Sequence, residues 1–272
     1  MPELPEVETT RRGIAPYVEG GTVTEVILRR RTLRYPVPSS LLTDLPGSVI
    51  ERVERRGKYL LLHTAEGAVI IHLGMSGNLR LVDPATAVEK HDHVDIVIDG
   101  KSILRFHDPR RFGAVLWCDG DVFGHALLST LGPEPLEGGF DGDYLFERCR
   151  KRKQSIKQFI MDSHTVVGVG NIYASESLFL AGIRPQILAG KVSRPRCQQL
   201  VIAIQQVLQA AIEQGGTTLR DFVDGAGRPG YFQQQLNVYG RNGEPCHQCG
   251  TVIKQLRQGQ RATYYCPHCQ QR

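Results

Sequence analysis

Four cysteines in the last 27 residues, Cys246-x2-Cys249 and Cys266-x2-Cys269 with sixteen residues between the pairs, constrain this chain more than any other feature. Paired C-x2-C knuckles at this separation place four thiolates tetrahedrally on one Zn²⁺, each pair closing a tight turn. No fifth donor is required, so the expected site is structural and closed. His247 and His268 lie inside the knuckles and are read as exposed bystanders. The excursion between the pairs is expected to fold as a β-hairpin too short to stabilise itself without the metal. Arg261 would lie near the tip of that hairpin, as a plain surface charge or as a grip on phosphate. Cys118, Cys149 and Cys197 stand apart and are expected to be buried free thiols.

The length of 272 residues accommodates two domains, or one large domain with an appendage. No apolar run approaches the ~20 residues of a membrane span, and the start lacks a basic-then-apolar secretory pattern. A cytoplasmic protein with reduced thiols and no membrane partner is expected. The net charge of +5 is unevenly spread: from Arg241 onward five basic residues face one acid, Glu244. A second cluster, Arg150-Lys151-Arg152-Lys153, has Lys157 one turn on. Such stretches usually make a solvated helix face, but two separate clusters raise the prospect of a polyanion partner.

Along the chain, one short helix precedes a β-rich half. Strand candidates are residues 23–28, 49–53, 59–63, 68–73, 94–98, 103–106 and 114–117, punctuated by Arg56-Gly57, Glu66-Gly67, Asp99-Gly100 and Asp108-Pro109. Val94, Ile96 and Ile98 alternate with Asp95, Val97 and Asp99, which predicts one mostly polar face. Many short strands so punctuated favour a two-layer β-sandwich. Beyond the Gly/Pro-rich stretch 132–139 the apolar period lengthens to three and four residues. Helices are predicted over 144–160, 173–181 and from Pro195 to the Gly215-Gly216 stop. The segment 221–232, with three glycines and a proline, reads as a mobile loop of the kind that covers a ligand.

Several short motifs carry chemistry. Removal of Met1 ahead of Pro2 is expected, leaving a secondary amine next to the Glu3 carboxyl. An α-amine titrates near ~7.7–8.0, so a useful fraction is neutral and nucleophilic. The turn His107-Asp108-Pro109-Arg110-Arg111-Phe112-Gly113 is read as a hairpin tip projecting two guanidiniums and an exposed phenyl. His72-Leu73-Gly74-Met75-Ser76-Gly77 offers a second apolar tip at Met75. Either tip suits a wedge into a base stack, although Met and Phe are more often core residues. Gly168-Val169-Gly170-Asn171 gives a sharp turn in which Asn171 is placed to cap the next helix. His91 is read as a hydrogen-bonding or phosphate-contacting side chain.

Taken together, these stretches resemble bacterial formamidopyrimidine-DNA glycosylases, base-excision enzymes for oxidised purines. The matching segments are Met1–Glu8, Arg56–Leu60, His72–Gly77, Glu89–His93, Asp108–Gly113, Gly168–Glu176, Gly215–Thr218 and the four-cysteine finger, in order from end to end. The resemblance implies an α+β fold: an N-terminal helix and β-sandwich (1–132), a helix–two-turn–helix domain (133–235) and a zinc finger (236–272). It implies that Pro2 attacks C1′ of the damaged nucleotide to form an iminium and that Glu3 is the acid opening the deoxyribose. Lys58 would serve phosphate contact and β-elimination, and Arg261 phosphate contact and δ-elimination. Met75, Arg110 and Phe112 would fill the gap left by the extruded nucleotide. His91, Lys157 and Asn171 would contact DNA, and Arg152 stands where the family commonly has a lysine. The loop 221–232 would be the lid over the flipped base.

The partner implied is damaged double-stranded DNA, with one structural zinc, no nucleotide cofactor and a monomeric, nucleoid-associated enzyme. Two other readings remain at this point. One is an endonuclease VIII-type enzyme for oxidised pyrimidines, which the Met75, Arg110 and Phe112 set disfavours. The other is a non-catalytic zinc-dependent sensor of damaged duplexes, which has no need of an amine beside a carboxyl.

Overall fold

The computed structural model describes residues 2–215 and 236–271. The reading of 221–232 as a lid lies outside the described residues. Two compact units are present, one formed by residues up to 129 and the other by 130–214 with 236–271.

The first unit opens with α1 (Leu4–Val18), followed by β1 (Val23–Leu28) and the single-turn α2 (Ser40–Thr43). Then come β2 (Arg52–Arg56), β3 (Tyr59–His63), β4 (Gly67–His72), β5 (Asn78–Val82), β6 (Asp92–Ile98), β7 (Ser102–His107) and β8 (Ala114–Asp119). They form two four-stranded antiparallel sheets, ordered β1-β6-β7-β5 and β2-β3-β4-β8. One apolar cluster joins Val7, Ile14 and Val18 of α1 to Leu60, Leu62, Val69 and Ile71 of one sheet and Leu79, Ile96, Leu104 and Phe106 of the other. Leu61 and Ile70 are also fully buried, so β3 and β4 are covered on both faces. That is why their sequences run apolar without alternating.

The fold departs from the sequence reading at identifiable places. The apolar pattern predicts no strand over residues 78–82, yet β5 pairs with β7 along its length. Val49 makes only an isolated bridge to Thr22, and the strand predicted there begins at Arg52. The predicted polar face of β6 is only partly open to solvent, with Val97 half-buried and Asp99 just beyond the strand exposed. Asp95 is fully buried between Arg29 (2.7 Å) and Arg105 (2.9 Å), and Arg105 is itself 1% exposed. Burial pushes the Asp95 carboxyl up, but the two guanidinium hydrogen bonds outweigh it and hold the pKa below the usual value.

The second unit contains α3 (Gly142–Cys149), α4 (Ile156–Ile160), α5 (Asn171–Leu180) and α6 (Arg194–Glu213), then the hairpin β9 (Lys254–Gln258) and β10 (Arg261–Tyr265). The single helix predicted over 144–160 is broken. Lys151 takes a left-handed conformation (φ 62°), and the Ser155 hydroxyl caps α4 by accepting from the Gln158 amide. Four consecutive cations repel one another, which favours interruption there.

The finger is bound to the helices by apolar and polar contacts. Phe179 of α5 clusters with Val238, Cys246, Ile253 and Cys266. The Glu176 carboxylate, 4% exposed, accepts from the backbone amides of Asn237, Val238 and Tyr239 at 2.8–2.9 Å. No described helix is long and apolar enough to cross a membrane.

Candidate functional site

Pro2 and Glu3 are both buried at the entrance to α1. Glu3 is the N-cap residue, and its amide donates to the Glu6 carboxylate at 2.8 Å in a capping box. Farther along α1, Glu8 binds Arg11 (2.9 Å), Arg12 (2.8 Å) and Arg55 of β2 (3.3 Å). Burial raises the Glu8 pKa, but the arginine hydrogen bonds and charges more than reverse it, so it lies below the ordinary value. Arg55 in turn donates to the carbonyl of Gly57 at 3.1 Å, in the β2–β3 turn that carries Lys58. A chain of charge-assisted bonds thus links the catalytic-candidate helix to the Lys58 turn.

At the start of β3, Tyr59 pairs with His72 of β4. Their rings lie 4.9 Å apart, and the His72 Nδ1 accepts from the Gly74 amide at 3.0 Å. Burial, then the nearby charges of Lys58 and Arg34, lower the His72 pKa to about 4. His72 is therefore neutral at physiological pH and carries its proton on Nε2.

The segment 107–113, expected from the sequence to be a hairpin tip, is not one, and neither is 73–77. Residues 73–77 join β4 to β5, and 108–113 join β7 to β8, so each segment crosses from one sheet to the other. Because β4 pairs with β8 (His72↔Ala114) and β5 with β7 (Asn78↔His107), the two crossings run side by side. Gly74, at φ 66°, leaves no room for a Cβ against the backbone of Phe112 and Gly113. Phe112 is 46% exposed, with the Arg110 guanidinium 5.1 Å from its ring centroid. Met75 beside them is half-buried. His91, just before β6, has its ring edge-on to that of His107 at 5.8 Å.

In the second unit Arg152 is exposed, with its guanidinium over the Phe159 ring. Asn171 does not cap α5. Gly170 holds the cap position, and Asn171 is the first helical residue. Lys157 is 1% exposed: its ammonium donates to Asn171 Oδ1 (2.7 Å), Thr263 Oγ1 (2.8 Å) and the Ala262 carbonyl (3.2 Å). The Asn171 side chain also donates to the Ala262 carbonyl at 3.1 Å. Lys157 and Asn171 therefore grip the strand next to Arg261. Arg261 itself is exposed and begins β10 opposite Gln258, at the hairpin tip.

The sulfurs of Cys246, Cys249, Cys266 and Cys269 all lie within 4.8 Å of one another, with Cys246–Cys269 at 3.9 Å and Cys249–Cys266 at 3.5 Å. Four sulfurs each ~2.3 Å from a tetrahedral zinc are ~3.8 Å apart, so the set fits one structural Zn²⁺.

No local spacing announces Arg55, Ser76 or Glu176, because their partners here, Glu8, Asp108 and residues 237–239, lie 32 to 63 residues away in the chain. Glu8 meets Arg11 and Arg12 at helical i+3 and i+4 spacing, and only its link to Arg55 needs the tertiary fold.

The comparisons with known proteins agree along the chain. Residues 1–115 match the formamidopyrimidine-DNA glycosylase N-terminal domain, 131–223 its H2TH domain, and 243–272 the zinc finger found in FPG and IleRS. The formamidopyrimidine-DNA glycosylase of Thioalkalivibrio sulfidiphilus is 60% identical over 270 residues, 99% of this chain and 100% of that protein. That of Pseudomonas putida is 58% identical over the same spans. The Lactococcus lactis enzyme bound non-covalently to DNA containing an AP site is similar with a TM-score of 0.89 at 33% identity, covering 99% of this chain and 100% of that one. MutM in complex with DNA containing carbocyclic 8-oxo-G gives 0.91 at 35% identity, with both chains fully covered. The chain belongs to the formamidopyrimidine-DNA glycosylase family.

Proposed function

We propose that this DNA glycosylase of base-excision repair removes oxidised purines from duplex DNA through a Pro2 iminium and then cleaves the strand by β,δ-elimination. The observation that carries the reading is the buried Pro2-Glu3 pair at the head of α1, in a chain that matches the family from end to end.

C1′ of a stacked nucleotide is inaccessible to an amine, so the damaged nucleotide must leave the helix at a cost of a few kcal/mol. Met75, Arg110 and Phe112 offset that cost by occupying the vacated stack. Arg110, Arg152 and Arg261 are the exposed members of the DNA-contacting set and His91 a half-buried one, with phosphates fixing register on the duplex, while the buried Lys157 and Asn171 hold the strand beside Arg261. The Pro2 amine, free once Met1 is removed, attacks C1′ and displaces the base. Glu3 protonates the sugar ring oxygen as the ring opens. Lys58 then serves β-elimination and Arg261 δ-elimination. Zinc holds the finger's shape and takes no part in bond making.

Borohydride trapping tests this on a duplex carrying one 8-oxoguanine opposite cytosine. A covalent adduct is expected with the wild type and none with Pro2→Gly or with residues retained ahead of Pro2. Binding with neither adduct nor cleavage would sink the proposal. Glu3→Gln should bind the duplex and fail to excise the base.

A further inference from the structure

The two sheet crossings share a buried carboxylate that none of the roles above uses. Asp108 is 0% exposed, and among the described residues no lysine or arginine pairs with it. Its Oδ1 accepts from the Ser76 hydroxyl at 2.9 Å and its Oδ2 from the Gly113 amide at 2.8 Å. The Asp108 amide donates to the His91 carbonyl at 3.0 Å, and its carbonyl accepts from His93 Nε2 at 2.9 Å. Ser76, 7% exposed, also accepts from the Arg110 amide at 3.3 Å. Between these anchors Arg111 is held left-handed at φ 58°, a conformation that persists in a non-glycine residue only when its surroundings enforce it. A buried carboxylate is tolerated only when hydrogen bonds replace its water. Here those bonds come from both crossings, and the Asp108 backbone reaches the third segment, at His91.

We propose that Ser76 and Asp108 are positioning residues for opening the duplex. They lock the segments bearing Met75, His91, and Arg110 with Phe112 into one rigid tip before DNA arrives. A wedge ordered in advance spends no binding energy on its own ordering as it enters the stack. Ser76→Ala unties the two crossings, leaving one carboxylate oxygen and the Arg110 amide without their partner, while the apolar wedge side chains are retained. The inference rests on the function proposed above.

The test compares two substrates under single-turnover conditions. On a duplex with 8-oxoguanine opposite cytosine, Ser76→Ala should excise ~10-fold more slowly, the kinetic equivalent of one buried hydrogen bond lost. Stopped-flow fluorescence of a 2-aminopurine next to the lesion should show the opening phase slowed by the same factor. Strand cleavage at an abasic site in single-stranded DNA has no stack to open and should stay near the wild-type rate. The double variant Met75→Ala/Ser76→Ala should lose less than the product of the single losses, because the two residues serve one step. Equal losses on both substrates, no loss on the duplex, or fully multiplicative losses each overturn the inference. Absence of excision by the wild type would sink the functional reading and the inference with it, whereas wild-type excision with unaffected Ser76→Ala sinks the inference alone.

Discussion

The His72 imidazole lies against Tyr59 and beside the Lys58 and Arg34 charges, and its pKa of about 4 follows from burial first and those cations second. An unfolded histidine titrates near ~6.5, so below that pH the unfolded chain takes up a proton that the folded chain refuses until about 4. Folding stability contributed by neutral His72 is therefore complete above ~6.5 and is lost as pH falls toward 4. Replacing His72 by Gln should make the fall in melting temperature over this window shallower. Melting curves of the two proteins that run parallel from pH 7 to 4 would contradict the assignment. Asp95 and Glu8 follow the opposite balance: burial alone would raise both carboxyls, and arginine partners reverse it.

At the scale of elements, the adjacent crossings 73–77 and 108–113 depend on one glycine. A side chain at Gly74 would enter the backbone of Phe112 and Gly113 from a left-handed conformation. Gly74→Ala should destabilise the N-terminal unit by about 2–4 kcal/mol, read by urea unfolding. A change below ~0.5 kcal/mol would show that the crossings are not tightly packed. The finger depends on its metal in a comparable way. The strands β9 and β10 offer few buried side chains of their own, and Cys266 is among the apolar residues packed on α5. Chelation should abolish the near-ultraviolet signal of the Tyr239–Tyr264 contact, whose ring centroids are 5.1 Å apart, and weaken DNA binding. The single tryptophan, Trp117, is 9% exposed in β8 of the other unit and should report no change. A tryptophan shift on chelation would mean that the metal supports more than the finger.

For the whole molecule, the net charge of +5 understates how it meets a polyanion, because exposed cations stand side by side at Arg110-Arg111 and over Arg150-Lys151-Arg152-Lys153. DNA affinity should fall steeply with salt, and each phosphate contact removed should flatten the slope of log K against log salt by about 1. Arg261→Ala, at the exposed hairpin tip, is expected to do this on damaged and undamaged duplexes alike. An unchanged slope would remove Arg261 from the phosphate contacts.

Much of this was legible in the chain as written. The zinc ligands and the order of β-sandwich, helices and finger follow from spacing and period, because C-x2-C turns and apolar repeats are local geometry. The long amphipathic helix α6 and most strands declared themselves in the same way. What local pattern could not decide was partnership across the chain. Nothing near residue 76 indicates that its hydroxyl meets a carboxylate 32 residues on, or that Asp95 on an alternating strand is covered by Arg29 and Arg105. Nothing near Lys157 indicates that its ammonium is held by a strand 106 residues away. Those pairings exist only once the sheets close and the finger docks on α5. Burying a charge is unfavourable until its partner is present, so the fold selects these partners and sequence spacing does not.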